Sequence, residues 1–141
     1  MFKILLAVDG SECSLKAVAH VIKTIAVAKD QYEIHLINVQ RPVHGSISTF
    51  VDASQIQNYH HEEGMKTLAA ARAALDAAGT PYTSHLFVGE PAEVITRFAR
   101  EEKIDEIVIG PRGLSGISGL FLGSVATKVI HLAEMPVLLV K

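Results

Sequence analysis

The chain has 141 residues, 49% of them hydrophobic and 20% charged, a composition that excludes intrinsic disorder and suits one domain with a genuine core. A formal net charge of -2 offers no broad positive field to a nucleic acid backbone, and a single cysteine, Cys13, excludes an internal disulfide framework and fits a reducing compartment. No apolar stretch reaches the roughly 18 residues of a membrane span, so the expectation is a cytoplasmic protein with no nucleic acid and no membrane as partner.

Phe2 to Val8 is almost wholly apolar, as a strand covered on both faces should be, and it stops at Asp9-Gly10-Ser11. Leu15, Val18, Ile22 and Ile25 then recur at helical spacing, with Ser11 placed to cap the helix. Tyr32 to Val39 reads as a second strand ended by Arg41-Pro42, and an alanine-rich helix follows from about Ala53 to Ala78, stopped by Gly79-Thr80-Pro81. Tyr82 to Val88 is a third strand, and Gly89-Glu90-Pro91 leads into a helix carried by Val94, Ile95 and Phe98. Glu106 to Ile109 is a fourth strand, Ser124 to Ala133 a last helix, and Pro136 to Val140 a fifth strand.

This alternation predicts a single α/β domain over residues 1–141: an open, Rossmann-like, parallel sheet of five strands with helices on both faces. In such sheets ligands bind beyond the carboxyl ends of the strands, where strand order reverses. Two unusual loops follow carboxyl ends: Asp9-Gly10-Ser11, and Gly110 to Ser124, which holds five of the ten glycines. The second loop ends at a helix N-terminus, where free N–H groups and the helix dipole favour an anion. A phosphate cradle and a mobile surface loop are the two readings of the glycines alone, since neither GxxxxGK[ST] nor a GxGxxG after the first strand is present. Arg112 and Lys128 are the nearby cations, and a divalent metal such as Mg2+ or Mn2+ is the other source of positive charge.

The spacing Gly110-x2-Gly113-x9-Gly123-Ser124 resembles the nucleotide-binding signature of the universal stress protein family at every fixed position. Val8-Asp9-Gly10-Ser11, the strand ending at Val39 and the closing run Gly123 to Val140 extend that resemblance along the chain. It implies strand order 3-2-1-4-5 with ATP, or else AMP or ADP, where strands one and four part. Carried over by matched position, Asp9 lies beside ribose or adenine, and Val39 offers backbone polar groups to the adenine edge. Gly110, Gly113, Gly123 and Ser124 hold ribose and phosphates, and Val125 contributes an N–H. Family members are commonly homodimers through the last strand, which in this order lies at a sheet edge, and the function implied is a nucleotide-dependent stress or regulatory module acting on a protein partner. Slow ATP hydrolysis or autophosphorylation, and a nucleotide-free interaction protein, are the alternatives.

Pro111 departs from the commoner pattern and cannot donate from its backbone nitrogen. His60-His61-Glu62-Glu63 reads as solvated helix face, because adjacent side chains on a helix diverge. Leu120-Phe121-Leu122 place large apolar groups in the glycine segment, where folding over a ligand or a partner subunit would bury them.

Overall fold

A computed structural model of the chain describes residues 1–43, 52–114 and 122–141. The elements in chain order are β1 (Phe2–Ala7), α1 (Glu12–Ile25), a 3-10 turn (Lys29–Gln31), β2 (Tyr32–Gln40), α2 (Ala53–Ala77), β3 (Thr83–Val88), α3 (Pro91–Glu101), β4 (Glu106–Ile109), α4 (Ser124–Leu132) and β5 (Val137–Leu139). All strand pairs are parallel and the order is β3-β2-β1-β4-β5, as the resemblance implies.

Alternation along β1 sorts the core into two layers. Ile4, Leu6 and Val8 pack with Val18, Val21 and Ile25 of α1 and Leu68, Ala71 and Leu75 of α2. Leu5 and Ala7 point to the opposite face, against Ile95, Phe98 and Ala99 of α3 and Val129 of α4. Successive strand side chains face opposite sides, so a central parallel strand covered by helices on both sides must be apolar throughout.

Local signals fix the helix starts. Ser11 caps α1, accepting from Ser14 N at 3.2 Å. A full capping box opens α2: Gln55 N donates to Asp52 Oδ1 at 2.8 Å while Asp52 N donates to Gln55 Oε1 at 3.1 Å. Gly64 of α2 lies against Leu86 of β3, where a β-carbon would stand 2.6 Å from Cδ2, so the helix can sit close to the sheet edge. His60, one turn earlier, is buried on the same stripe as Gly64, Leu68, Ala71 and Leu75, whereas His61 and Glu62 are exposed. The reading of the whole His60–Glu63 run as solvated therefore fails at His60, which follows the helical period of the inward face.

Candidate functional site

β1 is central, with β2 on one side and β4 on the other: the chain builds outward from β1 to β2 and β3, then crosses back to β4 and builds outward to β5 on the other side. The loops after β1 and β4 leave on opposite faces, which opens a crevice of about 290 Å³ above the strand ends. Asp9, Val39, Gly110, Arg112, Gly113, Gly123, Ser124 and Val125 all line it. Lys128 is exposed on α4 and is not among the lining residues.

One wall is an apolar slot. Ile37 and Val39 alternate onto one face of β2 and stand with Pro91 and Ile95 of α3, while Ala7 and Ile109 form the floor. At this end the β1–β2 ladder is deliberately cut short by one buried amide. Val8 N still donates to the Ile37 carbonyl at 2.9 Å, but the Val8 carbonyl accepts from Asn38 Nδ2 at 2.8 Å. Gln40 Nε2 in turn donates to Asn38 Oδ1 at 2.7 Å. Gln40 O bonds Gly89 N on the β3 side, so by alternation the N–H and C=O of Val39 point to the β1 side, past the last residue of β1. They open on the crevice.

Asp9 divides the site. Its Oδ1 accepts from Ser11 N at 2.9 Å and its Oδ2 from Leu114 N at 3.2 Å, which ties the β1 loop to the segment after β4. The carboxylate is thereby held in one orientation beside the slot. Among the described residues that line the crevice it is the one acidic side chain.

The glycines of the signature are explained by neighbours within the protein. None of Gly110, Gly113 and Gly123 has a positive φ, whereas Gly10, beside Asp9, does at 85°. A β-carbon on Gly110 would stand 2.9 Å from the backbone carbon of Cys13, so α1 can approach β4 only if this residue is glycine. Gly113 is crowded in the same way by the Asp9 carboxylate, and Gly123 lies against Arg112 and the Pro111 carbonyl.

Gly123 is also the N-cap of α4, and no side chain caps that helix. Its own N–H donates to Pro111 O at 2.7 Å, joining the two ends of the glycine segment. The N–H of Gly123 is thus taken up within the protein. The donors with no partner among the described residues are the first-turn amides of Ser124, Val125 and Ala126, which line the crevice and precede the first intrahelical bond, Thr127 N to Gly123 O at 3.0 Å. Leu122 is exposed next to them, and the rest of the Leu120–Leu122 apolar group lies outside the described residues.

Arg41 and Glu90 were not singled out from the sequence. Arg41 lines the crevice and Nη1 donates to Glu90 Oε1 at 2.8 Å and Oε2 at 2.9 Å. Forty-nine residues separate the pair, so no local pattern announces it. Asn38 was readable: it shares the inward parity of Ile34 and Leu36, where a polar side chain demands a partner.

These features define an open doubly wound α/β domain with a switch-point crevice that is apolar at one end and lined by backbone amides at the other. The chain belongs to the universal stress protein family, which it matches over residues 1–141. It is 34% identical over 150 residues to universal stress protein YxiE of Bacillus subtilis, covering 99% of this chain and 98% of that one. The fold is similar to that of the hypothetical protein MJ0577, with TM-score 0.83 and 29% identity over 99% of this chain and 94% of that chain. It is also similar to a universal stress protein solved in complex with cAMP, with TM-score 0.73 and 27% identity over 99% and 97% of the two chains.

Proposed function

We propose that this chain is an ATP-binding universal stress protein whose nucleotide occupancy biases a regulatory surface, without efficient catalysis. The observation that carries this reading is the sequence of surfaces along one crevice: apolar slot, fixed carboxylate, uncapped helix start. Adenine fits between Ile37 and Val39 on one side and Pro91 and Ile95 on the other, its edge reached by the Val39 peptide. Asp9 is placed to accept from ribose hydroxyls, and the amides of Ser124, Val125 and Ala126, the Ser124 hydroxyl and Arg112 are placed around the phosphates. A volume of about 290 Å³ is near the lower end of ligand pockets, about 300 Å³, which suits an enclosed nucleoside with its phosphate chain running out along α4. That a relative was solved with cAMP supports an adenine nucleotide as the ligand class.

Both oxygens of Asp9 already accept backbone amides, so the crevice presents a carboxylate suited to holding a ligand rather than to activating water. The same commitment leaves it a poor metal ligand, and Mg2+ or Mn2+ would be held mainly by the triphosphate itself. Binding to the folded state alone stabilises it by about 2.7 kcal/mol at a hundredfold excess over Kd, enough to bias a conformational equilibrium. β5 is an edge strand whose Val137, Leu138 and Leu139 are half-buried in the single chain, and pairing with a second copy would give a homodimer.

The chain has no tryptophan and three tyrosines, so a co-purified adenine nucleotide would dominate its ultraviolet spectrum. Acid release followed by mass identification, and calorimetric titration with ATP, ADP and AMP, test the reading. ATP binding that exceeds AMP binding, with negligible turnover in Mg2+ or Mn2+, is expected. No heat with any adenine nucleotide, together with an empty crevice in soaked crystals, overturns it.

A further inference from the structure

At the mouth of the apolar slot stands the Arg41–Glu90 pair. Residues before proline are held extended, so Pro42 continues the β2 direction through Arg41. Ile37, Val39 and Arg41 therefore alternate onto one face, and all three line the crevice. From the other side, Gly89 N bonds Gln40 O at 2.9 Å and brings Glu90, the N-cap of α3, level with Arg41. Glu90 does not cap its own helix with its side chain. It holds the guanidinium by Nη1 with both carboxylate oxygens.

This geometry separates two roles for the arginine. The helix start at Ser124 and the signature glycines lie beyond β4, two strands from β2, and neighbouring strands are about 4.8 Å apart. A phosphate would also compete with a carboxylate that already neutralises Arg41 through two charge-assisted bonds. The planar faces of a guanidinium remain available when its edge is so engaged, and they stack on aromatic rings. We infer that Arg41, positioned by Glu90, closes over the heterocycle at the open edge of the slot and contributes to binding of the nucleoside rather than of the phosphate chain. This rests on the nucleotide reading given above.

Displacement titrations with adenosine, AMP and ATP, on the full chain and on Arg41→Ala and Arg41→Lys, test it. Both side chains are more than 40% exposed, so the variants should retain the fold, and far-ultraviolet dichroism checks that they do. Arg41→Ala is expected to weaken all three ligands by the same factor, about three- to tenfold. Arg41→Lys, which keeps the charge and loses the plane, should weaken them nearly as much. A factor that grows from adenosine to ATP makes Arg41 a phosphate ligand and overturns the inference; an unchanged affinity for adenosine does so as well. Glu90→Ala should weaken adenosine in the parent and leave it unchanged in the Arg41→Ala background, and an equal effect in both backgrounds overturns the positioning role. If the unaltered protein binds none of the three, the nucleotide reading itself has failed, and that is seen before any variant is made.

Discussion

Gly113 lies so close to Asp9 that a β-carbon on it would collide with Oδ2 of the carboxylate. The same oxygen accepts the Leu114 amide, so one contact joins the loop after β1 to the segment after β4 across the mouth of the crevice. The glycine thus serves the protein's own carboxylate before it serves any ligand. Gly113→Ala must push Asp9 aside, and overpacking of this kind costs about 1–3 kcal/mol. Urea denaturation should show that loss, and calorimetry should show ATP affinity reduced at least about tenfold, as for displacement of a ligand-orienting group. In an Asp9→Ala background the stability cost of Gly113→Ala should largely vanish, because the two residues share one contact. A full cost in both backgrounds would mean that the collision is not what makes glycine necessary.

Pro111 invites a different expectation from the one its missing N–H suggests. It is buried and is not among the residues lining the crevice, and its structural contribution is the carbonyl that accepts Gly123 N at 2.7 Å. Serine keeps that carbonyl. Pro111→Ser should therefore leave ATP affinity within about twofold, a change worth about 0.4 kcal/mol, while lowering stability modestly through the freer unfolded chain. A tenfold change in affinity would show that the backbone nitrogen at this position matters to the ligand.

Most of the fold was readable because each element carries one clean period. The apolar run at Phe2 to Val8 and the three-and-four spacing of α1 leave no competing assignment, and the observed ends of β1 at Ala7, α2 at Ala77 and α4 at Leu132 differ from expectation by one residue each. The spacing of the glycines marked the end of the crevice where the uncapped α4 begins, since β4, the segment and α4 are contiguous in the chain. What escaped was assembled at a distance. Arg41 meets Glu90 only because β2 and β3 pair in register, and the inward parity of Asn38 marks it as needing a partner without showing that the partner is a carbonyl of β1. The bond from Gly123 N to Pro111 O spans the whole segment and has no local signal either.

The proposed dimer can be tested at one amide. Ile107 N bonds Pro136 O and Val140 N bonds Ile109 O, so the alternation of a parallel ladder turns the N–H of Leu139 away from β4, toward the open edge. Proline is tolerated in an edge strand where its nitrogen faces outward. Leu139→Pro should leave the fold intact by circular dichroism and convert the dimer to a monomer in sedimentation. A variant that sediments as a dimer would place the interface elsewhere.

Acid sensitivity should come from a chain of three side chains on β2 and β3, none of which lines the crevice. Glu33 Oε1 lies 2.7 Å from His35 Nε2, and His35 Nδ1 lies 2.9 Å from His85 Nε2. With the carboxylate as acceptor, the network assigns the proton of His35 to Nε2 and leaves Nδ1 to accept from His85. Burial, then the neighbouring His35, lower the pKa of His85, partly offset by Glu102 on the α3 side, where Phe98 packs against the ring. The hydrogen bond from His35, opposed by desolvation and helped by Lys3, holds Glu33 below the usual carboxylate value. A histidine whose native pKa lies below its unfolded value of about 6.5 binds fewer protons folded than unfolded. Its stability contribution is complete above about pH 6.5 and declines as the pH falls from there toward the native pKa. Glu33 adds a second loss at lower pH, as its native pKa is crossed. The urea midpoint should therefore drop between pH 7.5 and pH 5.5. His85→Phe keeps an aromatic ring against Phe98 but deprives the buried His35 Nδ1 of its donor, costing about 1–3 kcal/mol at pH 7.5. It should also flatten the decline toward pH 5.5, and a variant whose midpoint fell as steeply as that of the parent would show that His85 does not carry the effect.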